Sequence, residues 1–286
     1  MSIAAEREFE FSAADFHRIQ VLIKDRAGID LGAEKQSLVY GRLARRLRAL
    51  GMQAFADYLA LVEDAGSDEA GRFVNAITTN VTAFFREGHH FEFLARTVLP
   101  ALWRRQGSGA QRVRLWSAGC STGEEPYSLA MTLRENMPAS GSWDVKILAT
   151  DLDTDVLAHA SEGIYVAERI EKIPPARLSR FFTSTGREGA YKANASIRSL
   201  ITFKQLNLLE PWPMQGPFDV ILCRNVVIYF DDATKRALAQ RYRQILGDGG
   251  YLMLGHSESL VGSGMGFESC GRTIYRKAVA ARPVVS

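Results

Sequence analysis

From Val113 onward, short apolar runs alternate with helical stretches, and that alternation admits few folds. Val113–Ser117, Val145–Thr150, Ile201–Gln205, Phe218–Cys223, Tyr251–Leu254 and Thr273–Lys277 read as strands. Helical patterns fill the stretches up to Asn136, up to Ser161 and over Asp232–Leu246. The expectation is a doubly wound, Rossmann-like α/β sheet whose ligand lies at the carboxyl ends of the strands. The alternation is interrupted between residues 164 and 200. There Pro175–Phe182 is helical in pattern, and Gly189–Ile197 alternates around polar residues as a small β-ribbon would.

Before residue 86 only helical patterns occur. Asp15–Ala27 ends at Gly28, Ala33–Leu50 ends at Gly51, Ala54–Asp64 follows, and a fourth helix starts after Ser67. His89–Gln106 reads as a linking helix. The expected organisation is a small all-helical domain with linker over 1–85 and an α/β domain over 86–286, with a subdomain inserted at about 164–200. Hydrophobic residues at 47% supply a core for both, and disorder is expected only at the first few residues and the Ala281–Ser286 tail.

The net charge of +3 does not imply nucleic acid as a partner. Three scattered cysteines, Cys120, Cys223 and Cys270, argue against a disulfide framework and a zinc site, so no metal is expected. The N-terminus is charged, and no apolar run approaches the roughly 20 residues of a membrane helix. A soluble, cytoplasmic protein without membrane insertion is expected, and nothing demands more than a monomer.

The run Leu115 to Pro126, Leu-Trp-Ser-Ala-Gly-Cys-Ser-Thr-Gly-Glu-Glu-Pro, sends a strand through a glycine-rich turn into a helix. Gly119 and Gly123 make a tight turn that lets a ligand approach the backbone closely, with Ala118 and Gly119 expected against it. Glu124 and Glu125 sit in the first helical turn, where they suit the helix dipole but repel a phosphate. They would favour an ammonium or sulfonium, so a cationic ligand is expected over a dinucleotide. Asp151, at the end of the next strand, is placed to accept ribose hydroxyls, while Asp153 is expected to cap the following helix. Phe218–Phe230 delivers Arg224, Asn225 and Tyr229 at the end of a buried strand, and Asn207-Leu208 ends another. The run Thr78 to Arg86 is by itself only a linker.

Taken in order, Thr-Thr-Asn-Val-Thr-Ala-Phe-Phe-Arg-Glu, Ser-Thr-Gly-Glu-Glu-Pro-Tyr-Ser, Ala-Thr-Asp-Leu-Asp, Leu-Asn-Leu-Leu and Cys-Arg-Asn-Val-Val-Ile-Tyr-Phe resemble the chemotaxis-receptor glutamate methyltransferases, the CheR family. The resemblance covers nearly the whole chain. It implies a class I methyltransferase fold and S-adenosylmethionine as cofactor, with S-adenosylhomocysteine as product. It also implies that Asn80, Thr82 and Arg86 reach over the cofactor, and that Glu124 or Glu125, Asp151, Asn207, Leu208, Asn225 and Val226 line its pocket. The sequence leaves the two glutamates equivalent. The turn departs from the general D-x-G-x-G-x-G pattern, with Ser117 and Ser121 in place of the acid and the middle glycine.

The implied reaction esterifies receptor glutamates. A glutamate is already ionised at neutral pH, with a pKa of about 4.3, so orientation is needed and a general base is not. Arg86 and Tyr229 are the expected orienting groups, with Arg224 behind them. Arg42, Arg45, Arg46 and Arg48 crowd the second helix, and by resemblance that helix docks on the helical cytoplasmic part of a receptor. The inserted subdomain resembles one that captures a receptor C-terminal peptide by strand addition in some members. His89-His90 reads as helix surface, and His256 receives no role. The rival readings are a methyltransferase on another substrate, a non-catalytic S-adenosylmethionine-binding adaptor and, more distantly, a nicotinamide dehydrogenase.

Overall fold

The computed structural model describes residues 7–105, 111–187, 189–260 and 265–279. The ends for which disorder is expected, and Gln106 of the linking helix, lie outside these residues. The chain divides into two compact units, 1–79 with 229–231, and 80–228 with 232–286.

The first unit is helical: α1 (Ala13–Ala27), α2 (Gln36–Leu50), α3 (Phe55–Glu63) and α4 (Glu69–Ile77). Ser12 and Asp15 form a reciprocal capping box at the start of α1, and Gly28 ends it in the left-handed region. Phe16, Ile19, Ile23, Val39, Leu43, Leu47, Phe55, Leu59 and Phe73 make the core, whereas Val21, Leu38 and Leu50, which belong to the same apolar stripes in the sequence, are exposed. Glu69 is buried at the start of α4, where Arg46 binds both its oxygens (2.9 and 2.7 Å) and the Tyr58 hydroxyl donates a third bond (3.1 Å).

The second unit opens with α5 (His89–Phe93), which runs through a π-helical turn at Leu94–Val98 into α6 (Leu99–Trp103). Strand β1 (Gln111–Ala118), helix α7 (Glu124–Asn136), β2 (Trp143–Asp151) and α8 (Thr154–Glu162) follow. The inserted subdomain holds β3 (Ile164–Val166), α9 (Ala167–Ile170), α10 (Pro175–Phe181), β4 (Phe182–Ser184), β5 (Ala190–Ala193) and α11 (Ala195–Arg198). The chain then rejoins the main sheet through β6 (Ile201–Gln205), β7 (Phe218–Cys223), α12 (Asp232–Ile245), β8 (Leu246–Leu254), β9 (Phe267–Ser269) and β10 (Ile274–Lys277).

The main sheet has the order β6-β2-β1-β7-β8-β10-β9, with β6, β2, β1, β7 and β8 parallel and β10 antiparallel to both neighbours. With the insertion set aside, this is the sheet expected of a class I methyltransferase. The strand order reverses direction beside β1, so the ends of β1, β2 and β7 open the crevice where a ligand is bound. The insertion is a three-stranded antiparallel sheet, β3-β5-β4, rather than a two-stranded ribbon. Sequence pattern alone missed β3 and β4 because strands of three residues are too short to show a period.

The junction between units falls at Thr79–Asn80, six residues before the expected boundary at 85–86. Hydrogen bonds decide it. Asn80 Nδ2 donates to Asp153 (2.7 Å), Ser121 Oγ donates to the Asn80 carbonyl (3.1 Å), and the Phe85 amide donates to Ser128 Oγ (3.0 Å). The linker is therefore built into the α/β unit.

Tyr127 of α7 is fully buried, and its hydroxyl donates to the Ala160 carbonyl (3.0 Å). Burial pushes its pKa up to about 12, a rise that Arg198 reduces. A raised folded-state pKa gives stability that is intact below the unfolded value near 10 and lost as pH rises through about 12. Tyr127→Phe should therefore flatten the alkaline fall in urea-unfolding free energy by up to one proton, about 1.4 kcal/mol per pH unit. The lost hydrogen bond should cost about 1 kcal/mol at neutral pH.

Candidate cofactor and active site

The turn after β1 is pinned from both sides. The Gly119 and Cys120 amides donate to the Thr150 carbonyl on β2 (2.8 and 2.9 Å), and the Ser121 amide donates to Asp151 Oδ2 (2.8 Å). Gly119 has φ +86°, and a Cβ there would lie 2.3 Å from Val226 Cγ2. Only glycine lets this turn and the turn after β7 approach so closely. Ala118 is the fully buried last residue of β1.

The two adjacent glutamates of α7 have separate environments. Glu125 is satisfied: Ser117 Oγ donates to one oxygen (2.7 Å) and Arg224 Nη1 to the other (2.9 Å). Glu124 is wholly buried, with Thr122 Oγ1 donating to Oε2 (2.6 Å). Its Oε1 has no hydrogen-bond partner, and the nearest cation is Arg169 Nη2 of the inserted subdomain at 3.3 Å. A carboxylate buried at a helix N-terminus, with one oxygen that makes no hydrogen bond, suits a cationic group.

Asp151 ends β2, and its Oδ1 accepts the Asp153 amide (3.0 Å). Burial raises its pKa, partly offset by the Asp153 and Ser121 amide bonds. Ribose hydroxyls donating to Asp151 would relieve that burial cost. Asp153 caps α8 as expected, accepting the Asp155 and Val156 amides (2.9 and 3.3 Å).

Asn207 lies in the turn after β6, where Oδ1 accepts the Leu209 amide (3.0 Å). Leu208 is buried, and its carbonyl accepts from Trp212 Nε1 (3.1 Å) and Arg241 (2.5 Å). That carbonyl is thus engaged within the fold. Asn225 takes the left-handed conformation (φ +59°), and its amide donates to Glu258 Oε2 (2.9 Å). The same carboxylate accepts from the amides of Gly255 (2.6 Å) and Ile228 (3.2 Å). Glu258 is a buried residue that sequence reasoning passed over. Its signal was an acid just past a strand end at Gly255, a position where capping carboxylates are common.

On the linker, Thr82 offers its carbonyl to Arg169 Nη1 (3.3 Å), and Arg86 Nη1 donates to the Val81 carbonyl (2.8 Å). Arg224 is corrected from orienting group to structural strut. Its side chain is 2% exposed, ion-paired to Glu125, and it donates to the Arg86 carbonyl. Tyr229 belongs to the helical unit, and its carbonyl accepts the Asp30 amide (2.9 Å). The structure thus gathers Asn80, Thr82, Ala118, Gly119, Glu124, Glu125, Asp151, Asn207, Leu208, Asn225 and Val226 into one unit, at or beside the carboxyl ends of β1, β2, β6 and β7.

The arginines of α2 divide as well. Arg42 donates to the carbonyls of Ile77 and Thr78 (2.5 and 2.8 Å), closing the end of α4, and Arg46 holds Glu69. Arg48 pairs with Glu8 (2.8 Å) at the surface, and Arg45 is exposed. Arg42 and Arg46 serve their own unit, because each finds buried acceptors on α4.

This donor set fits S-adenosylmethionine. Glu124 would meet its ammonium, Asp151 its ribose, and the residues after β6 and β7 its adenine. Glu125→Gln should lower unfolding free energy by about 3 kcal/mol by stranding Arg224. Glu124→Gln should leave it unchanged within about 1 kcal/mol, since an amide oxygen still accepts the Thr122 bond and the pair lost is with the exposed Arg169. Chemical denaturation of both variants checks the distinction.

Two family models match the chain: CheR methyltransferase, all-alpha domain, over residues 14–78, and CheR methyltransferase, SAM binding domain, over residues 80–276. The chain is 45% identical over 269 residues to the chemotaxis protein methyltransferase of Escherichia coli, covering 92% of this chain and 91% of that one. It is 43% identical over 281 residues to chemotaxis protein methyltransferase 2 of Pseudomonas aeruginosa, covering 96% and 97%. It is 44% identical over 259 residues to a probable chemotaxis protein methyltransferase of Rhizobium etli, covering 89% and 96%.

Proposed function

The chain belongs to the CheR methyltransferase family and is an S-adenosylmethionine-dependent methyltransferase of chemotaxis, and on that premise we propose that it esterifies glutamate side chains of chemotaxis receptors. The observation that carries the cofactor assignment is the buried Glu124 carboxylate with its open oxygen, at the first turn of the helix after β1.

When bound, S-adenosylmethionine supplies an electrophilic methyl carbon on a positive sulfonium. Glu124, rather than Glu125, takes the ammonium end, because Glu125 has both oxygens occupied within the protein. Asp151 takes the ribose hydroxyls. The acceptor carboxylate is ionised at neutral pH and needs no proton removed, so the protein's part is alignment and exclusion of water. Arg86 is the proposed orienting group of the α/β unit. A guanidinium presents a flat fork of donors to a carboxylate, and Arg86 spends one of them on its own linker.

The receptor surface we propose is the exposed face of α2 that carries Leu38, Arg45 and Arg48, with Arg42 and Arg46 holding that face in place from behind. This face combines an apolar anchor with positive charge, which suits an acidic helical partner. A receptor C-terminal peptide would add to an outer strand of the inserted sheet, where β3 and β4 each have one unpaired side. The protein is proposed to work in the cytoplasm as a monomer; no helix among the described residues is long and apolar enough to cross a membrane.

Calorimetric titration should give micromolar binding of S-adenosylmethionine and S-adenosylhomocysteine and none of NAD. Glu124→Gln should weaken the adenosyl compounds about 10–100-fold, the worth of a charge-assisted hydrogen bond of about 1.5–3 kcal/mol. Unchanged affinity would move the ammonium site elsewhere. In a receptor-fragment assay, Arg86→Ala should cut turnover at least 100-fold with less than a tenfold change in cofactor affinity. Equal turnover would remove Arg86 from the chemistry.

A further inference from the structure

Beside the linker, Glu87, His89 and His90 each present one metal-ligating atom, all within 4.8 Å of one another. His90 is not surface, as its sequence context predicts, but fully buried under the turn at Arg272–Thr273. The Thr273 hydroxyl, which bonds the Arg272 carbonyl (2.6 Å), lies 3.3 Å from His90 Nε2. His90 Nδ1 is buried and without a hydrogen-bond partner.

Opposite it, 3.7 Å away, is Glu87 Oε2, also buried and without a hydrogen-bond partner. Two buried polar atoms that face each other without hydrogen-bond partners are costly unless a positive centre lies between them. Arg224 Nη2 stands 3.5 Å from Glu87 Oε2, but its charge is shared with Glu125 at 2.9 Å.

We propose that Glu87, His89 and His90 form a binding site for a divalent transition-metal ion of the zinc type. Two imidazoles and one carboxylate select such an ion over magnesium or calcium, and three protein ligands leave a position open to solvent. Zinc–ligand bonds of about 2.0–2.2 Å put neighbouring tetrahedral ligands about 3.3–3.6 Å apart, close to the separation of Glu87 Oε2 and His90 Nδ1. His89, half-buried, has its ligating atom within 4.8 Å of the other two. The surroundings already orient the ligands. His89 Nε2 lies 3.2 Å from the Arg272 carbonyl, and His256 Nδ1 lies 3.0 Å from the other oxygen of Glu87. Groups hydrogen-bonded behind the ligands in this way fix tautomer and ring direction. Glu87, Arg272 and Thr273 all hold left-handed backbone (φ +56°, +32° and +62°), a cost concentrated where these groups meet.

The test uses the untagged full chain, stripped of metal, in a non-chelating buffer. Titration with zinc chloride should show one equivalent bound with micromolar affinity, and magnesium chloride should give no binding. Cobalt(II) should develop the visible absorption of a four-coordinate site. Glu87→Gln and His89→Ala should each weaken zinc at least tenfold, and the half-exposed His89 makes the second variant safe for folding. His90→Asn, checked by circular dichroism, should abolish the cobalt spectrum. No saturable one-equivalent binding would overturn the site. So would affinity unchanged in both Glu87→Gln and His89→Ala, which would place the metal on scattered surface groups such as Cys270.

Discussion

The Glu125–Arg224 ion pair holds the α/β unit in its working arrangement. Glu125 begins α7, and Arg224 follows β7. Around the pair, Ser117 near the end of β1 donates to Glu125, while Arg224 donates to the carbonyl of Arg86 on the linker. One buried pair therefore joins two central strands, the helix between them and the segment that enters the unit. Burying two charges is costly, and the cost is met only because nearly every remaining lone pair and proton is also bonded. The Arg224 Nε is the exception.

The crevice is shaped by carboxylates that bind backbone amides. Asp151 holds the turn after β1, Asp153 holds the start of α8, and Glu258 gathers three amides from the turns after β7 and β8. Such turns expose amides that no sheet or helix can satisfy, and a short acid is the economical acceptor. Glu124 differs from all of these in having an oxygen left over. Glu124 Oε1 shares that property with Glu87 Oε2, and each carries one of the two proposed binding sites.

Most of the fold was legible in the residues. Short β-rich runs alternating with helices gave β1, β2, β6 and β7 within about two residues, and β7, buried throughout, carries the unbroken apolar run Val220–Cys223. Left-handed glycines at Gly28 and Gly51 ended α1 and α2 where the pattern put them. Less visible were β3, β4 and β9, each three residues long, whose existence depends on pairing with partners distant in the chain.

The candidate site divides along the same line. The sequence by itself determined which side chains stand at the strand ends, because spacing along a strand–turn–helix unit is a local property. It also determined the family, through ordered motifs over the whole chain. Only the tertiary structure decided what those side chains do. Glu124 and Glu125 are neighbours of one residue type, yet one is bonded on both oxygens and the other is not. Arg224 became a strut, Arg42 and Arg46 turned inward to α4, and His90 sank beneath Thr273. Each outcome depends on a partner more than twenty residues away. No local pattern encodes such a partner, because burial and hydrogen bonding are satisfied by whatever the fold brings near.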